Sequence, residues 1–342
     1  MLDDLKLIHE RDGQDALGMA ERQWQQLDHE YAVPDSFRPA QVGKVVYAAM
    51  GGSALAAIVA KRWLDIGVPF EVVREYDIPA YVDEHTLCII ASYSGNTEES
   101  IESLRQAVAK GAPTVVVATG GRLQELAAVH GLPFLQVPKV EHMRYPIWYM
   151  LKAIVTVLEH CGLTQGRMAE LMEAQTWLRD GLTAWRPDVA TAGNEAKRIA
   201  LELVGKSVVV YAGPKLSPAA YKWKISINEN AKALAWWNEY PEFNHNEFTG
   251  WTQQPTVKPY AVIELHSSLE HERVHRRFEV SERLLSGQRP APVVVTPEGD
   301  TLLQQYMYLF GLGDFVSVYL ALLANINPTP LETVDKLKKE LS

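Results

Sequence analysis

The residues best able to hold a charged ligand stand in Ser92-Tyr93-Ser94-Gly95-Asn96-Thr97, directly after the apolar run TLCIIA. A strand end supplies two serines, the glycine permits a tight turn, and Asn-Thr-Glu-Glu opens a helix with a cap and an acidic first turn. Such a junction gathers hydroxyls and free backbone N–H groups around one point. A phosphate monoester suits it, because a helix N-terminus carries unsatisfied donors and the positive end of its dipole. Open α/β sheets also bind ligands outside the carboxyl ends of their strands. Taken alone, the same residues have a plainer, minority reading as an ordinary strand-to-helix turn. A second loop, Met50-Gly51-Gly52-Ser53, follows the run KVVYAA in the same way. Gly51 and Gly52 let backbone approach a bound group there, and Ser53 offers a further donor. Two hydroxyl-bearing loops at successive strand ends favour the ligand.

Two more polar clusters interrupt apolar surroundings, Ile227-Asn228-Glu229-Asn230-Ala231-Lys232 and Pro241-Glu242-Phe243-Asn244-His245-Asn246-Glu247. Glu229 brings a carboxylate and His245 a group that titrates near neutrality, so proton transfer is the chemistry open to them. Each has a plainer reading, Glu229 as a solvated helix carboxylate and His245 as a turn histidine. His245 and Glu247 are not expected to hold a metal, since no further ligand stands at the spacing a site requires. The two cysteines, Cys88 and Cys161, have no C-x-x-C spacing and fit a reducing compartment.

These groups need elements to position them. From Lys44 to about Pro138, β-branched apolar runs alternate with amphipathic helical patterns, as in a parallel sheet covered on both faces. The opening run is echoed by SVVVYAG from Ser207, and PYAVIEL and APVVVTP then stand where TLCIIAS and PTVVVAT stood before. Internal duplication of one α/β unit explains the echo. Helical, Trp-containing sequence from about Ile147 to Leu203 joins the halves, and 342 residues suit two such domains. The first thirty residues are charged throughout, with no apolar region of a secretory signal. The most apolar helix-like stretch, Ile147 to Leu158, is short and carries Lys152, so no membrane span is expected. The net charge of −9 is scattered, and without a basic block nucleic acid is not an expected partner.

Strand followed by Gly-Gly-Ser, then strand followed by Ser-x-Ser-Gly-Asn-Thr, resembles the signature of sugar isomerase (SIS) domains. Four further segments resemble, in order, those of the bifunctional phosphoglucose/phosphomannose isomerases: Pro138 to Arg144, Asn228 to Lys232, Pro241 to Asn246, and Asn327 to Lys338. The resemblance implies an α/β fold class of two tandem SIS domains, each a flavodoxin-like parallel-sheet α-β-α sandwich. It implies a helical N-terminal segment over 1–40, a phosphate-binding domain over 41–160, a helical connector over 161–200 and a second domain with the C-terminal helix over 201–342. It implies a phosphosugar substrate, with Gly52, Ser53, Ser92, Ser94 and Thr97 around the phosphate. The implied reaction interconverts glucose 6-phosphate and fructose 6-phosphate through a cis-enediol(ate). Glu229 would carry the proton between C1 and C2, Arg144 would stabilise the enediolate, and His245 with Lys338 would open the sugar ring. No metal or other cofactor enters that scheme. A cytoplasmic homodimer is implied, with His245 a candidate to reach the neighbouring copy's site. Activity on mannose 6-phosphate stays open. Tyr145-Pro146-Ile147-Trp148-Tyr149 replaces the family's small alanine-rich continuation and could narrow the sugar pocket, and Thr329 and Thr333 both compete for the threonine that makes room for either C2 epimer. A regulator that binds phosphosugar without catalysis, and an isomerase of another phosphosugar, are the competing readings.

Overall fold

A computed structural model describes residues 1–140, 145–253 and 259–341, apart from the side chains of residues 335, 338, 339 and 341. The chain folds as two compact units, Gln23–Thr176 and Met1–Arg22 with Trp177–Ser342.

In the first of these, strands β1 (Lys44–Ala48), β2 (Phe70–Val73), β3 (Thr86–Ser92), β4 (Thr114–Ala118) and β5 (Phe134–Gln136) form one sheet in the order β2-β1-β3-β4-β5. Every pairing is parallel. β3 and β4 are buried along their whole lengths, which is why they read as unbroken apolar runs rather than alternating ones. Side chains alternate between the two faces. Val46, Cys88, Ile90 and Val116 form one core with Leu104 of the helix Glu98–Ala109 and Leu123 of the helix Gly121–Val129. The helix Gly51–Trp63 packs instead against the helix Ile147–His160. The strand order reverses between β1 and β3, so the crossovers leave that pair in opposite directions.

Two of the aromatics after residue 144 turn into the core. Tyr145 and Trp148 are buried, and two glutamines hold them: Trp148 Nε1 donates to Gln23 Oε1 at 2.9 Å, and Gln26 Nε2 donates to the Tyr145 carbonyl at 2.7 Å. They fill the core of their own unit.

In the second unit, β6 (Ser207–Ala212), β7 (Ala235–Glu239), β8 (Tyr260–Leu265) and β9 (Val293–Val295) form a parallel sheet in the order β7-β6-β8-β9. The same reversal recurs between β6 and β8. The duplicated runs of the sequence are thus equivalent strands. The core of this unit is the helix Leu302–Leu323, packed against the helices Ser217–Asn230, Glu195–Leu203 and Ala16–Arg22. It is longer and more uniformly apolar than Ile147–His160, which corrects the reading of the latter as the most apolar helix. Its length and composition would suit a membrane span, but 94% of its most apolar window is buried inside the fold.

Two features hold this helix in register. A Cβ on Gly313 would stand 2.7 Å from Trp223 Nε1, so only glycine lets the two helices come this close. Beside it, Asp314 is 1% exposed and Lys222 3%. Their side chains form an ion pair, and Ser226 Oγ donates to the same carboxylate oxygen at 2.9 Å. Removing one member of such a pair strands the other charge in the core, a cost of about 3–5 kcal/mol. Lys222→Met should therefore lower the unfolding free energy by about that much in urea denaturation, and adding Asp314→Leu should recover much of it. A single variant as stable as the wild type would show that the carboxylate does not depend on Lys222.

Candidate active site

The reversal of strand order brings two loops to the carboxyl ends of β1 and β3. After β1, Met50 precedes the helix Gly51–Trp63 and gives it no side-chain cap. After β3, Thr97 stands at the N-cap of the helix Glu98–Ala109, but its hydroxyl does not cap that helix either. Thr97 Oγ1 lies 2.7 Å from Ser92 Oγ, which is 3.4 Å from Ser94 Oγ. Three hydroxyls therefore cluster beside helix N–H donors that their own side chains leave unfilled. The two loops are tied together, since Tyr93 N–H donates to Ser53 Oγ at 3.2 Å. Ser92 is buried, Ser53, Ser94 and Thr97 are half-buried, and Gly52 is exposed. All five residues expected around a phosphate thus belong to one pair of loops.

A third loop completes the wall, and the sequence reading missed it. After β4, Thr119 N–H donates to the Tyr93 carbonyl at 3.0 Å and Arg122 N–H to Asn96 Oδ1 at 2.9 Å. Gly95 has φ +72°, and a Cβ there would lie 1.7 Å from the Gly120 carbonyl oxygen. Close approach of two backbones, as well as the turn, requires this glycine. The paired glycines after PTVVVAT were the available signal.

Glu229 lies one residue from the end of the helix Ser217–Asn230 and is half-buried. It lines a cleft of about 860 Å³ together with a wall of Asn327 and residues 330–334, where the helix Glu332–Leu341 begins. Lys232 pins that wall. Its backbone is left-handed, with φ 52°, and its Nζ donates to the Asn327 and Pro328 carbonyls at 3.0 and 2.8 Å. Lys338 belongs to the same C-terminal helix, with its side chain outside the description. His245 ends the short 3-10 turn Glu242–His245, is exposed, and is not among the residues lining the Glu229 cleft. Arg144 lies outside the described residues. Tyr93 fixes the chain shortly before it, since its hydroxyl accepts from Val140 N–H at 2.5 Å.

The second unit has its own reversal point, between β6 and β8, and a side chain fills it. Glu270, in the loop after β8, accepts from Lys215 N–H at 3.0 Å through Oε2 and from His271 N–H at 3.2 Å through Oε1. A Cβ on Gly213 would lie 2.3 Å from Glu270 Oε2, so the loop after β6 is shaped around that carboxylate. Neither cysteine offers a nucleophile. Burial pushes the Cys88 thiol up to about 12 and that of Cys161 to about 11.

Known proteins place this geometry. Residues 40–159 match the SIS domain family and residues 192–341 the bacterial phospho-glucose isomerase C-terminal SIS domain family. The chain is 31% identical over 300 residues to a bifunctional phosphoglucose/phosphomannose isomerase of Aquifex aeolicus, covering 87% of this chain and 90% of that one. It is 33% identical over 306 residues to the protein of the same name from Caldicellulosiruptor bescii, covering 88% and 90%. The crystal structure of a glucose-6-phosphate isomerase-like protein from Thermus thermophilus superimposes with a TM-score of 0.63 at 19% identity, over 96% of this chain and 97% of that one, and so shares the fold. With both halves matched and the likeness running through nearly the whole of each relative, this chain belongs to the bifunctional phosphoglucose/phosphomannose isomerase family.

Proposed function

We propose that this chain is an aldose–ketose isomerase that interconverts glucose 6-phosphate and fructose 6-phosphate, and mannose 6-phosphate with the same ketose. The observation that carries the reading is the cluster of Ser92, Ser94 and Thr97 hydroxyls beside two helix N-termini that lack side-chain caps. A dianionic phosphate monoester satisfies those donors together.

In this reading Ser53, Ser92, Ser94 and Thr97 hold the phosphate, while the Gly52 backbone approaches it. Glu229 takes the proton from C2 of the open-chain aldose, electrons move to the carbonyl oxygen, and the cis-enediolate forms. The O2 hydroxyl proton passes to O1, and the protonated Glu229 returns its proton to C1 as the electron pair on O2 closes the ketose carbonyl at C2. Half-burial on a cleft suits such a base, since the carboxylate can meet a bound sugar while the fold holds its position. Arg144 stabilises the enediolate without reorganisation, and Lys338 with His245 moves protons in ring opening. Proton transfer of this kind requires no metal. The chain works as a cytoplasmic homodimer. His245 is exposed and stands off the Glu229 cleft, which supports its service to a neighbouring copy.

Three outcomes test the reading. Ser94→Ala and Thr97→Ala each delete a charge-assisted hydrogen bond worth about 1.5–3 kcal/mol, so KM for glucose 6-phosphate should rise by at least about tenfold in each. Unchanged KM in both, with no thermal protection of the wild type by phosphosugar, would remove the phosphate loop from the argument. Glu229→Gln keeps shape but not basicity. It should lower kcat by about 10²-fold or more, spare phosphosugar affinity, and stop exchange of the C2 hydrogen with deuterated water. Wild-type exchange in that variant would return Glu229 to the role of a solvated helix carboxylate. Exhaustive EDTA dialysis should leave activity intact for all three sugars, and a loss restored by a divalent ion would overturn the proton-transfer scheme.

A further inference from the structure

His245 is exposed, yet the short turn that it ends is anchored to three strands of its unit. Before it, Tyr240 and Phe243 are buried in the core, and the Tyr240 hydroxyl donates to Glu264 Oε1 on β8 at 3.3 Å. Glu264 is itself buried and paired with the buried Arg289 at 2.5 Å. After it, the Glu247 carboxylate accepts from the Tyr211 hydroxyl on β6 and from Asn238 Nδ2 on β7, the latter at 2.7 Å. Both approaches to His245 are therefore tied down.

One more contact acts between these anchors, at the residue next to His245. Asn244 Oδ1 accepts from Arg277 Nη1 at 3.1 Å, and Asn244 Nδ2 donates to Ser281 Oγ at 2.9 Å. Arg277 and Ser281 belong to the helix Glu272–Leu284 and, four residues apart, share one face of it. A guanidinium only donates, so it fixes which end of the amide faces it. Asn244 is half-buried, where water could serve its amide, so burial alone does not demand this pair of bonds. The imidazole beyond it makes no hydrogen bond, ion pair or ring contact with a described residue. Backbone held on both sides and a ring left unengaged is the arrangement of a side chain presented at a set place to exchange a proton.

We propose that Arg277, together with Ser281, is a positioning residue for His245: through the Asn244 amide it aims the exposed imidazole at the sugar ring to be opened. The inference rests on the role that the isomerase reading gives His245. Without the Arg277 bond the buried aromatics still seat the turn, but the peptide leading into His245 is free to swing, and a displacement of about 1 Å can cost about 10²-fold in rate. A double-mutant cycle tests this. Arg277→Ala should lower kcat on glucose 6-phosphate by about tenfold or more and leave KM within about twofold of the wild type. Arg277→Lys, which keeps a donor, should recover most of that loss, and Asn244→Ala should reproduce it without touching the helix. In a His245→Ala background neither alanine substitution should lower kcat further, because no imidazole is left to aim, whereas a general weakening of the fold would act in both backgrounds. Wild-type kcat in Arg277→Ala and Asn244→Ala beside an impaired His245→Ala, or losses that multiply with that of His245→Ala, would overturn the positioning role and leave the isomerase reading standing. A His245→Ala variant as active as the wild type would remove His245 from that reading and the positioning role with it.

Discussion

The candidate site after β1 and β3 rests on one constraint of parallel sheets. Where successive crossovers leave a pair of strands in opposite directions, the helices that follow them both begin above the same gap, and their free N–H groups converge there. Strand order β2-β1-β3-β4-β5 sets that gap between β1 and β3, and the helices Gly51–Trp63 and Glu98–Ala109 open onto it. Topology thus creates an electropositive crevice before any side chain is chosen. The side chains then refine it: the Thr97 hydroxyl turns away from its own helix toward Ser92, and the N-terminal donors are left for a ligand.

Such a crevice is useful only if its loops hold still, and close packing does that work. Gly95 presses against the Gly120 carbonyl, Asn96 accepts from Arg122 N–H, and Tyr93 accepts from Thr119 N–H, so the loops after β3 and β4 form a single wall. In the other unit Lys232 plays a comparable part by gripping the Asn327 and Pro328 carbonyls, which ties down the segment leading into the C-terminal helix at the cleft that Glu229 also lines. Behind that helix pair the Lys222 and Asp314 charges and the bare Gly313 surface fix the register of Ser217–Asn230 against Leu302–Leu323. Placement of a half-buried carboxylate is thereby linked to contacts well inside the core.

Much of the fold was legible in the sequence because buried parallel strands leave a local record, the apolar β-branched run. The runs at Lys44, Thr86 and Thr114 became β1, β3 and β4, and their echoes at Ser207, Tyr260 and Val293 became β6, β8 and β9. The hydroxyl-bearing turn after β3 was equally legible, since its serines, its glycine and Thr97 are neighbours along the chain. What escaped notice depends on partners distant in sequence. Gly120 matters because of Gly95, and Gln23 and Gln26 because they satisfy groups at Tyr145 and Trp148. Tyr145 and Trp148 looked like pocket residues for the same reason, as nothing adjacent to them indicates the glutamines that draw them inward. Leu302–Leu323 was passed over because an all-round apolar helix lacks the periodicity that marks an amphipathic one.

Glu270 makes the two halves unequal in a way their shared topology does not. Its carboxylate is tethered within the same chain as the N–H groups it accepts from, so it meets them at an effective concentration that freely diffusing anions in solution do not approach. The second crevice is in that sense self-liganded, whereas in the first the helix Glu98–Ala109 takes no side-chain cap from its own Thr97. Duplication has kept the architecture twice and filled it from within the chain once.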